Sequence, residues 1–209
     1  NAFSLALSGG RTPREMYRLL AREPYFGRIP WAETHLFWVD ERCVPQEDPA
    51  SNYGAALGDF LLKVPVPSSQ IHPMKGHLPP ERGAADYEQE LRRFFEGRGM
   101  AVPRFDFVVL GLGDEGHTAS LFPWHASLEE KTRWVTAGEG GEPRVKRLTL
   151  TLPVINQAKQ IVFMISGEEK AEAVRRLLVQ RDQEMPASRV RPVEGRLSFL
   201  MDGAAAFFL

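Results

Sequence analysis

Short apolar runs alternate along the chain with longer stretches in which apolar side chains recur every three or four positions. The runs are FSLAL (3–7), HLFWVD (35–40), FDFVVL (105–110), RWVTA (133–137), RLTLTL (147–152), QIVFMI (160–165) and RLSFLM (196–201). Each predicts a strand, and the helical period predicts helices over 13–22, 52–62, 81–97, 168–180 and 203–209. Strands alternating with helices imply an α/β fold, a mainly parallel sheet with helices on both faces. The polar–apolar alternation of LTLTL marks an edge strand or one of mixed direction. The proline-rich stretch 63–81 reads as a long irregular connection inside one domain, residues 1–209, and no internal repeat is visible.

Four of the strands run into loops with chemical character. After FSLAL comes SGGRTPREM, where Thr12 is a candidate N-cap, Pro13 the first helical residue and Glu15 the capping-box partner. Ser8, Gly9 and Gly10 bend the chain before that helix, leaving backbone N–H groups at a helix N-terminus, a place that attracts phosphate. The spacing is not that of a P-loop. After HLFWV comes DERCVP: Arg42 carries the guanidinium fork suited to phosphate oxygens, and Asp40 is the first polar residue beyond the apolar run. After QIVFMI comes SGEEK, where Ser166 or Gly167 caps a helix and Lys170 falls in its first turn, a position a cation favours only when it meets an anion.

The fourth loop, LGLGDEGHTASLFP, has Gly111, Gly113 and Gly116 in the G-x-G-x-x-G spacing of a dinucleotide turn. A dinucleotide site needs a helix of several turns after the third glycine and an acidic residue about 20 positions on. Only HTASLF separates Gly116 from Pro123, room for less than two helical turns, and the strand at 133–137 ends in Gly138. The glycines therefore serve to turn the backbone and present Glu115 and His117. An imidazole with an ordinary pKa of about 6.5 suits a general base near neutral pH, and a carboxylate from Glu115 can orient it. In a parallel sheet all four loops share the edge where ligand crevices form. Phosphate-holding groups and a carboxylate–imidazole pair can thus converge there.

Composition narrows the partners. A formal net charge of −1 provides no field for nucleic acid or an anionic membrane, so any anion is held locally. The single cysteine, Cys43, excludes an intrachain disulfide and fits a reducing, cytoplasmic setting. No apolar run reaches the length of a membrane span, and no leader pattern opens the chain. The chain starts almost directly in a strand, which suggests that an upstream segment is missing. The remaining histidines, at 35, 72, 77 and 125, show no metal-ligand spacing. Ser120 lies near His117 but lacks the G-x-S-x-G elbow of a serine nucleophile.

LGLGDEGHTASLFP, LSGGRTP, WVDERCVP, SNYG, RLTLTLPVIN and SGEEKAEAV together resemble the motifs of the 6-phosphogluconolactonases, in the family's order and over nearly the whole chain. The resemblance implies a Rossmann-like three-layer fold of the glucosamine-6-phosphate isomerase type. It also implies no cofactor and hydrolysis of a sugar-phosphate lactone in the pentose phosphate pathway. It implies His117 as the catalytic histidine, and Glu115 and Asp40 are the other two catalytic candidates. Ser8, Gly9, Gly10, Thr12, Arg42 and Lys170 would be phosphate-binding positions, and Asp40, Asn52 and Arg147 would line the site. Two positions depart from the family pattern. Glu115 stands where an Asp is usual, so the extra methylene moves the carboxylate relative to His117. Arg11 stands where a small polar residue is common, either adding an anion contact or pointing to solvent. Two rivals are an amino-sugar-phosphate isomerase or deaminase with Asp40 as base, and a non-enzymatic sugar-phosphate sensor. No helix-turn-helix or basic patch accompanies the chain, as a sensor of the repressor type would need. A monomer or small homo-oligomer is expected.

Overall fold

A computed structural model describes residues 2–209. In chain order the first half contains β1 (Phe3–Leu7), α1 (Arg11–Leu20), β2 (Thr34–Trp38), β3 (Asp40–Arg42), α2 (Asn52–Asp59), β4 (Ile71–His72) and α3 (Pro80–Glu96). The second half contains β5 (Phe107–Leu110), β6 (Val135–Gly140), β7 (Val145–Leu150), α4 (Leu152–Ile155), β8 (Gln160–Ile165), α5 (Ala171–Val174) and β9 (Arg196–Met201). Six strands form a sheet in the order β4-β2-β1-β5-β8-β9, and every pairing in it is parallel. The result is the three-layer α/β architecture that the alternating pattern implies. Its interior strands β2, β1, β5 and β8 carry the apolar runs that a sheet covered on both faces requires.

A second sheet, β3-β7-β6, is antiparallel. The run 35–40 is therefore two strands and not one. Val39 N–H donates to the Leu7 carbonyl in the first sheet, and the Val39 carbonyl accepts from Leu150 N–H in the second. The chain changes sheets at that residue, and DER, read as a loop, is strand β3. The LTLTL run is the central strand of this small sheet, of opposite direction to its neighbours and not at an edge.

Other expectations need correction. Helix α1 begins at Arg11, two residues early, because Gly10 adopts φ 91° and ψ 174°, a conformation open essentially to glycine, and itself occupies the cap position. No capping box forms: the Thr12 hydroxyl pairs with Ser166 Oγ at 3.1 Å, and Glu15 turns to Arg18. Residues 168–180 are not one helix but a 3₁₀ turn (Glu168–Lys170), α5, and a π turn (Arg175–Val179). As expected, Gly167 occupies the cap position and Lys170 falls in the first turn of this run, a turn that is 3₁₀ and leads directly into α5. Residues 203–208 form turns in place of the expected helix, and the proline-rich 63–81 contributes edge strand β4.

Helix α3 ties the two sheets together. It starts with Pro80 at its first position, where a missing N–H costs nothing. The Tyr87 hydroxyl accepts from Trp38 N–H at 2.9 Å, and Glu88 accepts from Trp134 N–H at 2.8 Å. Its apolar face packs an aromatic cluster in which the Phe37–Phe94, Phe37–Phe105 and Phe95–Phe105 ring centroids lie 4.9, 5.3 and 4.9 Å apart.

Beside that cluster His35 Nδ1 meets His72 Nε2 at 3.0 Å, and His72 Nδ1 meets Glu90 at 2.7 Å. Burial, with the charges of His72 and Arg98, pushes His35 down to about 4, and burial lowers His72 despite Glu90. The unfolded chain takes up these protons near pH 6.5 and the folded chain does not, so stability is full above that value and falls as pH drops toward 4. Unfolding by urea should show stability lower at pH 5 than at pH 7.5, on the order of 1 kcal/mol after allowing for solvent screening. His35→Phe should flatten that slope; an unchanged slope would assign it to other groups.

Candidate active site

The glycine spacing that resembles a nucleotide motif serves a different purpose. Gly113 N–H donates to the His117 carbonyl and Gly116 N–H to the Gly113 carbonyl, both at 2.9 Å, folding the segment back on itself. Gly116 has φ 91°, and a Cβ on Gly113 would lie 2.0 Å from His117 Nδ1. The middle glycine is thus the floor on which the imidazole rests. No helix comes after this turn; Thr118 and Leu121 close a small bridge instead, and the His117 ring leans on Phe122 with centroids 4.5 Å apart.

Behind the ring, Glu115 Oε1 lies 3.1 Å from Nδ1, but off the N–H axis, so Nδ1 is buried without an aligned hydrogen bond. The approach to His117, reinforced by Lys170, still holds the Glu115 carboxyl down at about 2. Glu115 is consequently a fixed negative charge beside the imidazole throughout the neutral range.

The cationic end is built from β1, β3 and α2. A Cβ on Gly9 would fall 1.8 Å from Asn52 Oδ1, so only glycine lets that amide close on the turn. Asn52 Oδ1 accepts from Arg42 Nη1 at 2.6 Å, and its Nδ2 donates to the Asp40 carbonyl at 2.9 Å. Arg42 Nη1 also donates to the Ala50 carbonyl, while its Nε is buried with no protein partner. No side chain caps α1, so its first-turn N–H groups beside Ser8, Gly9 and Gly10 face the same space.

Asp40 is nearly inaccessible. Its carboxylate accepts from Ser120 Oγ at 2.6 Å and from Asn52 Nδ2 at 3.3 Å, with Arg147 Nη1 4.0 Å away. Ser120 is fully buried, which agrees with its lack of a nucleophile elbow. Arg147 donates through Nε to the Gly140 carbonyl and stays largely desolvated, which lowers its pKa despite the attraction of Asp40. Lys170 Nζ meets Asp114 Oδ1 at 2.5 Å.

Ser8, Gly9, Gly10, Thr12, Asp40, Arg42, Asn52, His117, Arg147 and Lys170 all line one cavity of about 590 Å³ at the carboxyl edge of the parallel sheet. Glu115 is the exception, facing an adjoining cleft of about 700 Å³ on the far side of His117. Arg11 also reaches the cavity mouth, where it is mostly exposed and 3.4 Å from Glu169. Among the described residues, no group of three His, Cys, Asp or Glu side chains is arranged to hold a metal ion.

Sequence reasoning missed Glu41. This buried carboxylate accepts from Arg42 N–H (2.8 Å), Asn52 N–H (2.7 Å), Tyr53 N–H (2.8 Å) and Ser51 Oγ (3.0 Å). It caps the start of α2 from another element and so sets both Arg42 and Asn52, even though burial raises its pKa against those bonds. The only signal was an acidic residue inside the apolar-flanked DER. Asp202 was missed as well; it accepts from Gly167 N–H at 3.1 Å and lines the cavity beside Lys170.

The family model for glucosamine-6-phosphate isomerases/6-phosphogluconolactonase matches residues 1–199. The chain is 41% identical to the 6-phosphogluconolactonase of Synechocystis sp., over 97% of this chain and 82% of that protein. The structure of 6-phosphogluconolactonase from Trypanosoma brucei superposes with a TM-score of 0.84 at 30% identity, covering 99% of this chain and 86% of that one. A monomeric glucosamine-6-phosphate deaminase superposes with a TM-score of 0.83 at 24% identity, over 100% of this chain and 88% of that one, a likeness of fold alone.

Because the imidazole occupies the volume a Gly113 side chain would need, Gly113→Ala should displace the ring while the rest of the fold stands. The expected result is a loss of turnover of about 10²-fold, as for a misplaced base. The melting temperature should move by only a few degrees. Wild-type turnover in this variant would show that the ring's seat is not set by the glycine.

Proposed function

The chain belongs to the glucosamine-6-phosphate isomerase/6-phosphogluconolactonase family, and from that premise we propose how its residues divide the work. It is an enzyme of carbohydrate metabolism that hydrolyses 6-phospho-D-glucono-1,5-lactone to 6-phospho-D-gluconate in the oxidative pentose phosphate pathway. The observation carrying the assignment of roles is that an imidazole and four cations, Arg11, Arg42, Arg147 and Lys170, share one cavity of sugar-phosphate size.

The 6-phosphate sits at the Ser8–Gly9–Gly10 turn, taking N–H groups of the uncapped α1 end, the open edge of Arg42, Thr12 and Lys170. Asn52 holds the Arg42 fork in place. The lactone carbonyl then lies beside His117. With Nδ1 turned toward Glu115, Nε2 is the nitrogen that removes a proton from water as the water attacks C1. Glu115 stabilises the imidazolium electrostatically. The negative oxygen at C1 needs a donor. The N–H groups of Gly113 and Gly116 are spent inside the turn, and the Arg147 guanidinium, which lines the cavity, takes that role. As the tetrahedral species collapses, the C1–O5 bond breaks and O5 takes the proton back from His117. The product acid releases a proton to solvent.

Asp40 serves to orient Ser120 and Arg147. This favours hydrolysis over the isomerase or deaminase alternative, in which Asp40 would have to be free to act as a base. Glucosamine 6-phosphate should accordingly release no ammonia. We take residues 1–209 as one catalytic domain acting in the cytoplasm as a monomer or small homo-oligomer, without nucleic acid, metal or cofactor. The lone Cys43 and the near-zero net charge support that setting. Among the described residues no helix is long and apolar enough to cross a membrane.

Base titration of freshly generated lactone near pH 7, corrected for spontaneous opening, tests the roles. His117→Ala should lower kcat by about 10²–10⁴-fold. Arg42→Ala should act mainly on KM, on the order of tenfold or more, since it removes a charge-assisted phosphate contact. A folded His117→Ala enzyme working at the wild-type rate would remove that residue from the mechanism.

A further inference from the structure

Lys170, a cation of the cavity, is already held by an exposed carboxylate. Its ammonium, with the side chain only 20% exposed, donates to Asp114 Oδ1 at 2.5 Å, while Asp114 is 72% exposed. Asp114 comes at Lys170 from the adjoining cleft, which it lines, and it does not line the cavity where the phosphate binds. Lys170 lines both. The cation is therefore reachable from two sides, and its three N–H donors are divided between Asp114 and any anion bound in the cavity.

Resting on the phosphate site assigned above, we propose that Asp114 is an internal counter-ion that the substrate's phosphate displaces from Lys170, and so a determinant of affinity for phosphate-bearing ligands. Two features make the exchange feasible. A phosphate carries about −1.5 to −2 charges at neutral pH and meets Arg42 and the α1 N–H groups as well as Lys170. Asp114, being mostly exposed, returns to water at little cost, since ion pairs of this kind are worth roughly 0–1 kcal/mol. Its neighbour Glu115 lies 3.1 Å from His117 Nδ1 and meets Lys170 only through the field of its charge.

The exchange subtracts from the binding of every ligand that needs Lys170 and from no other. Product carrying the phosphate is held less tightly than the cations alone would hold it. An exposed aspartate whose only task was to aim Lys170 at the ligand would act in the opposite direction.

Isothermal titration calorimetry of the full chain with 6-phosphogluconate, inorganic phosphate and unphosphorylated gluconate separates these cases. Asp114→Asn should tighten 6-phosphogluconate and inorganic phosphate about three- to fivefold and leave gluconate within about twofold. In the Lys170→Ala background the same substitution should have no effect, the signature of a direct coupling. Unchanged or weaker phosphate binding in Asp114→Asn overturns the proposal. Tightening that persists in the Lys170→Ala background also overturns it, because the effect would then be a general field and not an exchange. If Lys170→Ala alone leaves 6-phosphogluconate affinity unchanged, the phosphate assignment itself fails, and the exchange with it. If that single variant weakens binding but Asp114→Asn does not tighten it, only the exchange is lost.

Discussion

Strands that all run one way must end on one edge, and in this chain that constraint decides where chemistry can occur. The turns after β1, β5 and β8, and the crossing from β2 into β3, emerge side by side although more than 150 positions separate the first from the last. None of the four segments is a site by itself: one gives amide N–H groups, one a guanidinium, one an imidazole and one an ammonium. The parallel sheet makes them a single cavity. The small antiparallel sheet adds Arg147 from its central strand and so closes one wall.

Precision at that edge comes from groups that touch no ligand. Glu41 gathers four donors from two elements and so fixes Arg42 and Asn52 relative to each other. Gly9 and Gly113 act by what they omit, since a Cβ at either would displace Asn52 or the His117 ring. The imidazole is accordingly positioned by packing on backbone and on Phe122 more than by Glu115, whose carboxylate sits off the N–H axis. Glu115, where an Asp is expected from the resemblance, thus keeps its charge near the ring without an aligned bond.

Much of this is legible in the residues. Apolar runs locate the strands because buried parallel strands leave little else in their sequence. The short segment between Gly116 and Pro123 separates the glycine spacing from a nucleotide turn. The resemblance to a known family then attaches roles to His117, Arg42 and Lys170. What stays hidden is non-local. The cap expected at Thr12 loses to the backbone freedom of Gly10 and to a hydroxyl partner, Ser166, on β8's loop. DER looks like a solvated turn because its charges meet partners on α2 and β7 that no local window contains. The 168–180 stretch has helical period and winds without a break to Val179, but it passes from 3₁₀ through α to π, which no period reveals.

The central claim is one of distance: the phosphate grip and the imidazole must lie one sugar apart in the same cavity. A crystal structure with 6-phosphogluconate bound tests it most directly. The account predicts phosphate oxygens within about 3 Å of the Arg42 guanidinium and of Lys170 Nζ, and the C1 carboxylate within about 3 Å of His117 Nε2. A product molecule whose phosphate lies outside that cavity, or whose C1 lies far from the imidazole while the phosphate is held, would contradict it.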